Sequence, residues 1–99
     1  MTANAADNRV VVHFYWRPGC GFCKRLDRHL EAHDLEIDYH NIWEDSEAAA
    51  TVRSIANGNE TVPTIVIGTE ARVNPPAQWV LDAVERAGQL RPAPEHGTD

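Results

Sequence analysis

Two rhythms of apolar and polar positions run along the chain. Val10-Val11-Val12-His13-Phe14-Tyr15 is an almost unbroken β-rich apolar run. It predicts a strand over 9–15, of the kind buried on both faces. Arg17-Pro18-Gly19 reads as a turn. Beyond it, Cys23, Leu26, Leu30 and His33 recur at three- and four-residue steps, the period of one helix face. A first helix is expected from 21 to about 33, its outer face carrying Lys24, Arg25, Asp27, Arg28 and Glu31. A second strand is expected over 36–42, with Ile37 and Tyr39 on one face. Asp45 or Ser46 caps a second helix, whose inner stripe is Ala48, Ala49, Val52, Ile55 and Ala56. Asn57-Gly58 ends it, because glycine tolerates the left-handed backbone of a helix C-terminus. A third strand over 61–67 holds a proline near its start. A tight connection at 68–70 then makes a hairpin with a short strand over 71–73. Asn74-Pro75 opens the last helix, with Asn74 as cap and Pro75 in the first turn. Ala77, Val80, Leu81, Val84 and Ala87 face inward, and Gly88 closes the helix.

The element order is therefore β-α-β-α-β-β-α. The first two strands are joined through a helix, which implies a parallel, right-handed βαβ unit. The fold class is α/β: a four-stranded mixed sheet with three helices, placed on both faces.

Length and charge narrow the function. Ninety-nine residues make one domain with a modest core. A net charge of −6 argues against nonspecific nucleic-acid binding. No apolar run approaches the roughly 18 residues of a membrane span. Residues 1–8 are polar and alanine-rich without an apolar signal core, so the expected location is cytoplasmic. In that reducing setting a lone cysteine pair is catalytic or metal-binding rather than a structural staple. A disulfide closing so small a loop also stabilises little.

Both cysteines, Cys20 and Cys23, lie in Arg17-Pro18-Gly19-Cys20-Gly21-Phe22-Cys23-Lys24, at a strand-to-helix junction. Cys-x-x-Cys in that place is the signature of a thiol–disulfide redox centre. A helix starting just after Cys20 sets its sulfur beside unpaired N–H groups at the positive end of the helix dipole. Those donors favour the thiolate, which is the nucleophile. Cys23 follows about one helical turn later, placed to pair with Cys20 or to attack a mixed disulfide held on it. Arg17 and Lys24 add positive charge. A zinc site shared with His29 and His33 fails on distance. Cys23 and His33 stand roughly 15 Å apart along a helix at 1.5 Å per residue, beyond the reach of bonds of about 2.0–2.3 Å. No metal is expected, and His29 and His33 read as surface residues. Arg17 either steadies the thiolate and holds an anionic substrate group or is a solvated turn charge. Trp16 is a groove wall or packs on the sheet. Trp43 reads as core or helix lead-in, and Trp79 as ordinary packing.

The order of elements, Cys-x-x-Cys after the first strand and Thr61-Val62-Pro63 opening the third together resemble the thioredoxin fold. The short chain, without an added N-terminal strand and helix, resembles its glutaredoxin branch. The resemblance covers about Val10 to Gly88, so 9–90 is read as one glutaredoxin-like domain with flexible tails at 1–8 and 91–99. Cys-Gly-Phe-Cys, Gly58-Asn59-Glu60-Thr61-Val62-Pro63-Thr64 and Asn74-Pro75 look most like the actinobacterial mycoredoxins, which use mycothiol where glutaredoxins use glutathione. The resemblance implies a cis bond before Pro63 and a Val62 backbone that faces the sulfurs and pairs with a thiol co-substrate. Arg17, Phe22, Thr61, Val62, Pro63 and Asn74 are the implied thiol-binding residues. Ordinary glutaredoxins carry Gly-Gly where this chain has Val73-Asn74-Pro75.

The function implied is reduction, by a monomer with no bound cofactor, of mixed disulfides between client proteins and a low-molecular-weight thiol, mycothiol or glutathione. Cys20 attacks, and Cys23 intervenes or stands by. Two rivals follow from the same residues. One is a redoxin feeding electrons from thioredoxin reductase to ribonucleotide reductase. The other is a dimer carrying an iron–sulfur cluster on Cys20 and a thiol.

Overall fold

A computed structural model describes residues 10–90. The tails assigned to 1–8 and 91–99, and Arg9 of the first strand, lie outside the described residues. The elements are β1 (Val11–Trp16), α1 (Gly21–Leu30), β2 (Glu36–Asn41), α2 (Ser46–Ile55), β3 (Thr64–Ile67), β4 (Glu70–Val73) and α3 (Ala77–Leu90). The order in the sheet is β2-β1-β3-β4. β1 runs parallel to β2 and antiparallel to β3, and β3 and β4 form the hairpin. The expected mixed sheet and element order are both present.

The period-two alternation of β1 sorts its side chains to two layers. Val12 and Phe14 point to one side and are fully buried. The Phe14 ring lies 5.5 Å from that of Tyr39, which hydrogen-bonds to Asp27 of α1. His13 and Tyr15 point to the other side, where Tyr15 meets Thr51 of α2. Helices therefore cover both faces. Leu30, Val52, Ile65, Val80 and Ala83, all at 0% exposure, fill the two layers.

Several boundaries differ from the sequence reading, each for a local reason. α1 stops at Leu30 rather than near His33. Leu30 is the last residue of its stripe that reaches the core, and His33 is exposed, so no burial supports a further turn. The Leu30 carbonyl instead accepts from the His33 N–H at 3.0 Å as the chain reverses toward β2. β3 begins at Thr64, not 61, because Thr61 to Pro63 form a bend in which the Thr64 hydroxyl donates to the Thr61 carbonyl. Pro63 has no N–H to enter a ladder.

Asn74 does not cap the last helix. It adopts a left-handed backbone, φ 49°, and its N–H donates to the Pro63 carbonyl. The helix starts at Ala77, and the Pro76 carbonyl accepts its first bonds, from Trp79 and Val80. The residue preceding a proline is pushed out of the helical region. That excludes both Asn74 and Pro75 from the helix. At the far end α3 runs through Gly88 instead of closing on it. A Cβ at Gly88 would sit 3.9 Å from Val10, an ordinary van der Waals distance, so the helix passes through this position without needing a glycine. The other two helix ends follow the sequence. Asp45 caps α2 by accepting from the Glu47 and Ala48 N–H groups. Asn57 and Gly58, φ 58° and 89°, terminate it.

Candidate active site

Cys20 stands at the N-cap of α1 with extended backbone, φ −90° and ψ 104°. The cap geometry turns its side chain over the helix end, where the sulfur accepts the Cys23 N–H at 3.1 Å. The Cys20 carbonyl accepts from the Lys24 N–H and closes the first turn. One helical turn brings Cys23 back to face Cys20, and the two form a disulfide with Cα atoms 5.2 Å apart. Both residues are buried, at 6% and 4% exposure. Access to Cys20 is therefore narrow, and one direction of approach is evident.

That direction is a cavity of about 460 Å³. Trp16, Arg17, Lys24, Asp27 and Tyr39 line it together with the two cysteines. Arg17 and Lys24 supply two cations; Asp27 is the one carboxylate, and it is engaged by the Tyr39 hydroxyl at 2.7 Å. Desolvation, and then that hydrogen bond to a carboxylate, push the Tyr39 phenol up to about 12. Tyr39 therefore stays protonated and donating at neutral pH. Arg17 lies 5.8 Å from the ring of Trp43 and donates to the Pro18 carbonyl at 3.3 Å. Trp43 is in the lead-in to α2 but not in the core: it is 63% exposed. Trp16 both packs on the core and walls the cavity. Trp79, although off the inner stripe of α3, is half-buried and packs against the core.

The second boundary of the sulfurs is the loop before β3. The Val62 carbonyl oxygen lies 3.7 Å from the Cys20 sulfur. As a disulfide sulfur carries no proton, this is a contact rather than a hydrogen bond. The Val62–Pro63 peptide is cis, and both residues are buried. The Pro63 carbonyl holds the Asn74 N–H, tying this loop to the one after β4. Thr61 is exposed beside it.

The structure thus divides the sequence-derived set. Arg17, Cys20 and Cys23 share the cavity, and Val62 closes over Cys20. Phe22 and Asn74 lie elsewhere, in a second groove of about 400 Å³ with Arg25, His29, Pro75 and Pro76. Phe22 is 57% exposed, and Arg25 stacks 5.4 Å from its ring. The sequence reading missed Asp27 and Tyr39 as cavity residues. Tyr39 had been given a face of β2, but only the parallel register, Phe14 opposite Tyr39, brings it over α1.

Comparison with known proteins gives the family and the fold. The Glutaredoxin family model matches residues 12–71. Two Mycobacterium tuberculosis proteins, from strains CDC 1551 and H37Rv and provisionally named glutaredoxins, are 36% identical over 56 residues. Those residues are 57% of this chain and 67% of theirs. Among solved structures, the thioredoxin-like protein BC3987 superposes with a TM-score of 0.64 at 17% identity, covering 73% of this chain and 97% of that one. The glutaredoxin-like NrdH-redoxin of Escherichia coli gives 0.56 at 23% identity, covering 85% and 99%. At such identities the structural matches speak for the fold alone. With the family match spanning β1 to β4 and a Cys-x-x-Cys at the tip of the first helix, the chain belongs to the glutaredoxin family and is a thiol–disulfide oxidoreductase of thioredoxin fold.

Proposed function

We propose that the protein reduces mixed disulfides between cytoplasmic client proteins and mycothiol, with Cys20 as nucleophile. The observation that carries the choice of nucleophile is the Cys20 sulfur at the cap of α1, accepting the Cys23 N–H and open to a cavity. The reduced Cys20 thiolate attacks the carrier sulfur of the mixed disulfide. The client leaves as a thiolate and takes up a proton. A second mycothiol thiolate then attacks the carrier sulfur now bonded to Cys20. This forms the carrier disulfide and returns the Cys20 thiolate. Where Cys23 attacks first, the carrier leaves as a thiol and the Cys20–Cys23 disulfide forms. Two thiols are then needed to reduce that disulfide.

The loop after β4 supports mycothiol over glutathione. A carboxylate is readily held by free N–H groups at a helix start. Here Pro75 and Pro76 remove two such donors, and the Trp79 N–H is spent on the Pro76 carbonyl. What that loop offers instead is the exposed Asn74 side chain in a groove with Phe22 and Arg25. The Asn74 amide and the Phe22 ring suit sugar hydroxyls, while Arg25 keeps a cation there for an anionic group, so the choice of carrier rests on the donors that Pro75 and Pro76 remove. The cysteinyl part would lie against the backbone of Thr61, Val62 and Pro63, where the Val62 carbonyl oxygen is 3.7 Å from the Cys20 sulfur and the Pro63 carbonyl holds the Asn74 N–H.

The test is turnover of a mixed-disulfide peptide with mycothiol and glutathione in parallel, and with thioredoxin reductase and NADPH as a third arm. Faster turnover with mycothiol supports the proposal. Preference for glutathione overturns the choice of carrier. Efficient turnover with the reductase alone favours a redoxin serving ribonucleotide reductase.

A further inference from the structure

The parallel register of β1 and β2 gathers three metal-ligating side chains that neither strand holds alone. His13 pairs with Asp38, and Tyr15 with His40, so His13, Asp38 and His40 emerge on the same face of the sheet. His13 Nδ1 and His40 Nε2 are 3.1 Å apart. Each lies near one oxygen of Asp38, at 3.8 Å and 3.7 Å. We propose that these three residues form a binding site for a divalent transition metal of the Zn²⁺ class.

The spacing is what such an ion requires. Three atoms at 3.1, 3.7 and 3.8 Å share a centre about 2.1 Å from each, the length of a zinc bond to imidazole nitrogen or carboxylate oxygen. Two imidazoles and one carboxylate are a donor set suited to zinc and its neighbours rather than to Mg²⁺ or Ca²⁺. The cluster is also reachable. Its side chains are 37%, 57% and 23% exposed for His13, Asp38 and His40, which leaves a coordination position for water. His40 further lines a groove with Glu44, Asp45 and Glu47, whose carboxylates draw cations toward it. Tyr15 stacks 4.6 Å from the His40 ring and holds it in place. The ion would pin β1 to the edge strand β2 directly upstream of the Cys20 loop. This site is separate from the cysteines and owes nothing to the choice of thiol.

The experiment uses the full chain in its oxidised form, so that Cys20 and Cys23 offer no thiolate to the metal. Zn²⁺ is titrated by calorimetry, and Co²⁺ by visible absorbance. One ion per chain is expected, with cobalt d–d bands and no thiolate charge-transfer band. His40→Gln and Asp38→Asn should each weaken binding by at least about tenfold, since even outer-shell changes cost about 10- to 100-fold. His33→Gln, in the exposed turn after α1 and outside the cluster, should leave affinity unchanged. Zn²⁺ should raise the melting temperature of the parent protein and not that of His40→Gln. Absence of any Zn²⁺ or Co²⁺ binding by the oxidised parent protein would overturn the proposal, as would affinity indifferent to His13→Gln and His40→Gln together.

Discussion

Tyr39→Phe separates one polar interaction from the rest of the cavity wall. The substitution keeps the ring that packs 5.5 Å from Phe14 and deletes only the hydroxyl that donates to Asp27 at 2.7 Å. A hydrogen bond to a charged acceptor contributes about 1.5–3 kcal/mol, but Tyr39 is 49% exposed, so water competes and about 1 kcal/mol is expected at neutral pH. The pH dependence carries the sharper signature. The folded phenol titrates near about 12 against 10.0 for a free tyrosine. Between those values the unfolded chain has lost its proton while the folded protein keeps it. Folding is therefore favoured below 10.0, and that contribution fades as pH rises toward 12. Two pKa units correspond to about 2.7 kcal/mol at full effect; half exposure reduces this to about 1 kcal/mol. Urea unfolding of the oxidised protein from about pH 9 to pH 11.5 measures it, with the disulfide keeping the thiols from titrating. Tyr15, also raised by burial, contributes equally to parent and variant. The gap between parent and Tyr39→Phe should close as pH rises through this window. Parallel loss of stability in the two proteins would refute the raised phenol pKa, whose larger cause is burial and whose second is the hydrogen bond to Asp27.

Three further outcomes follow from the same structure. Cys20→Ser should abolish turnover of a mixed disulfide with the low-molecular-weight thiol, while Cys23→Ser retains it; equal loss in both, in the same assay, would rule out a monothiol route. Leu30→Ala, at a fully buried site, should cost about 2–5 kcal/mol in urea unfolding. Asp45→Ala removes the acceptor for two N–H groups of α2 and should cost about 1 kcal/mol, read the same way.

Local rules made much of this fold legible. The apolar run of β1, the stripe of Cys23, Leu26 and Leu30, and the Asp45 and Asn57-Gly58 caps each depend on neighbours within a few residues. The Cys-x-x-Cys at a strand-to-helix junction likewise placed Cys20 at a cap. What escaped depends on register or on competing local rules. The meeting of His13 with Asp38 and His40, and of Tyr39 with Asp27, needs the offset between β1 and β2, which no local pattern encodes. The fully buried Ala83 was passed over because the stripe was drawn through Leu81 and Val84, whereas the face that is fully buried runs through Val80 and Ala83, three residues apart. Asn74 was misjudged although its correction was in the sequence: two successive prolines exclude a helix before Ala77. Phe22, one residue before Cys23 and so turned about 100° from it on α1, opens to the neighbouring groove with Asn74 rather than to the cavity at the sulfurs.

The central claim is that α1 holds the Cys20 sulfur ionised at its tip. Iodoacetamide alkylation of the reduced Cys23→Ser protein, followed against pH, measures this directly. Half-maximal rate is expected within the range of roughly 3.5–7.5 found for cysteines at helix N-termini. A midpoint near ~8.5, that of a free cysteine, would contradict it.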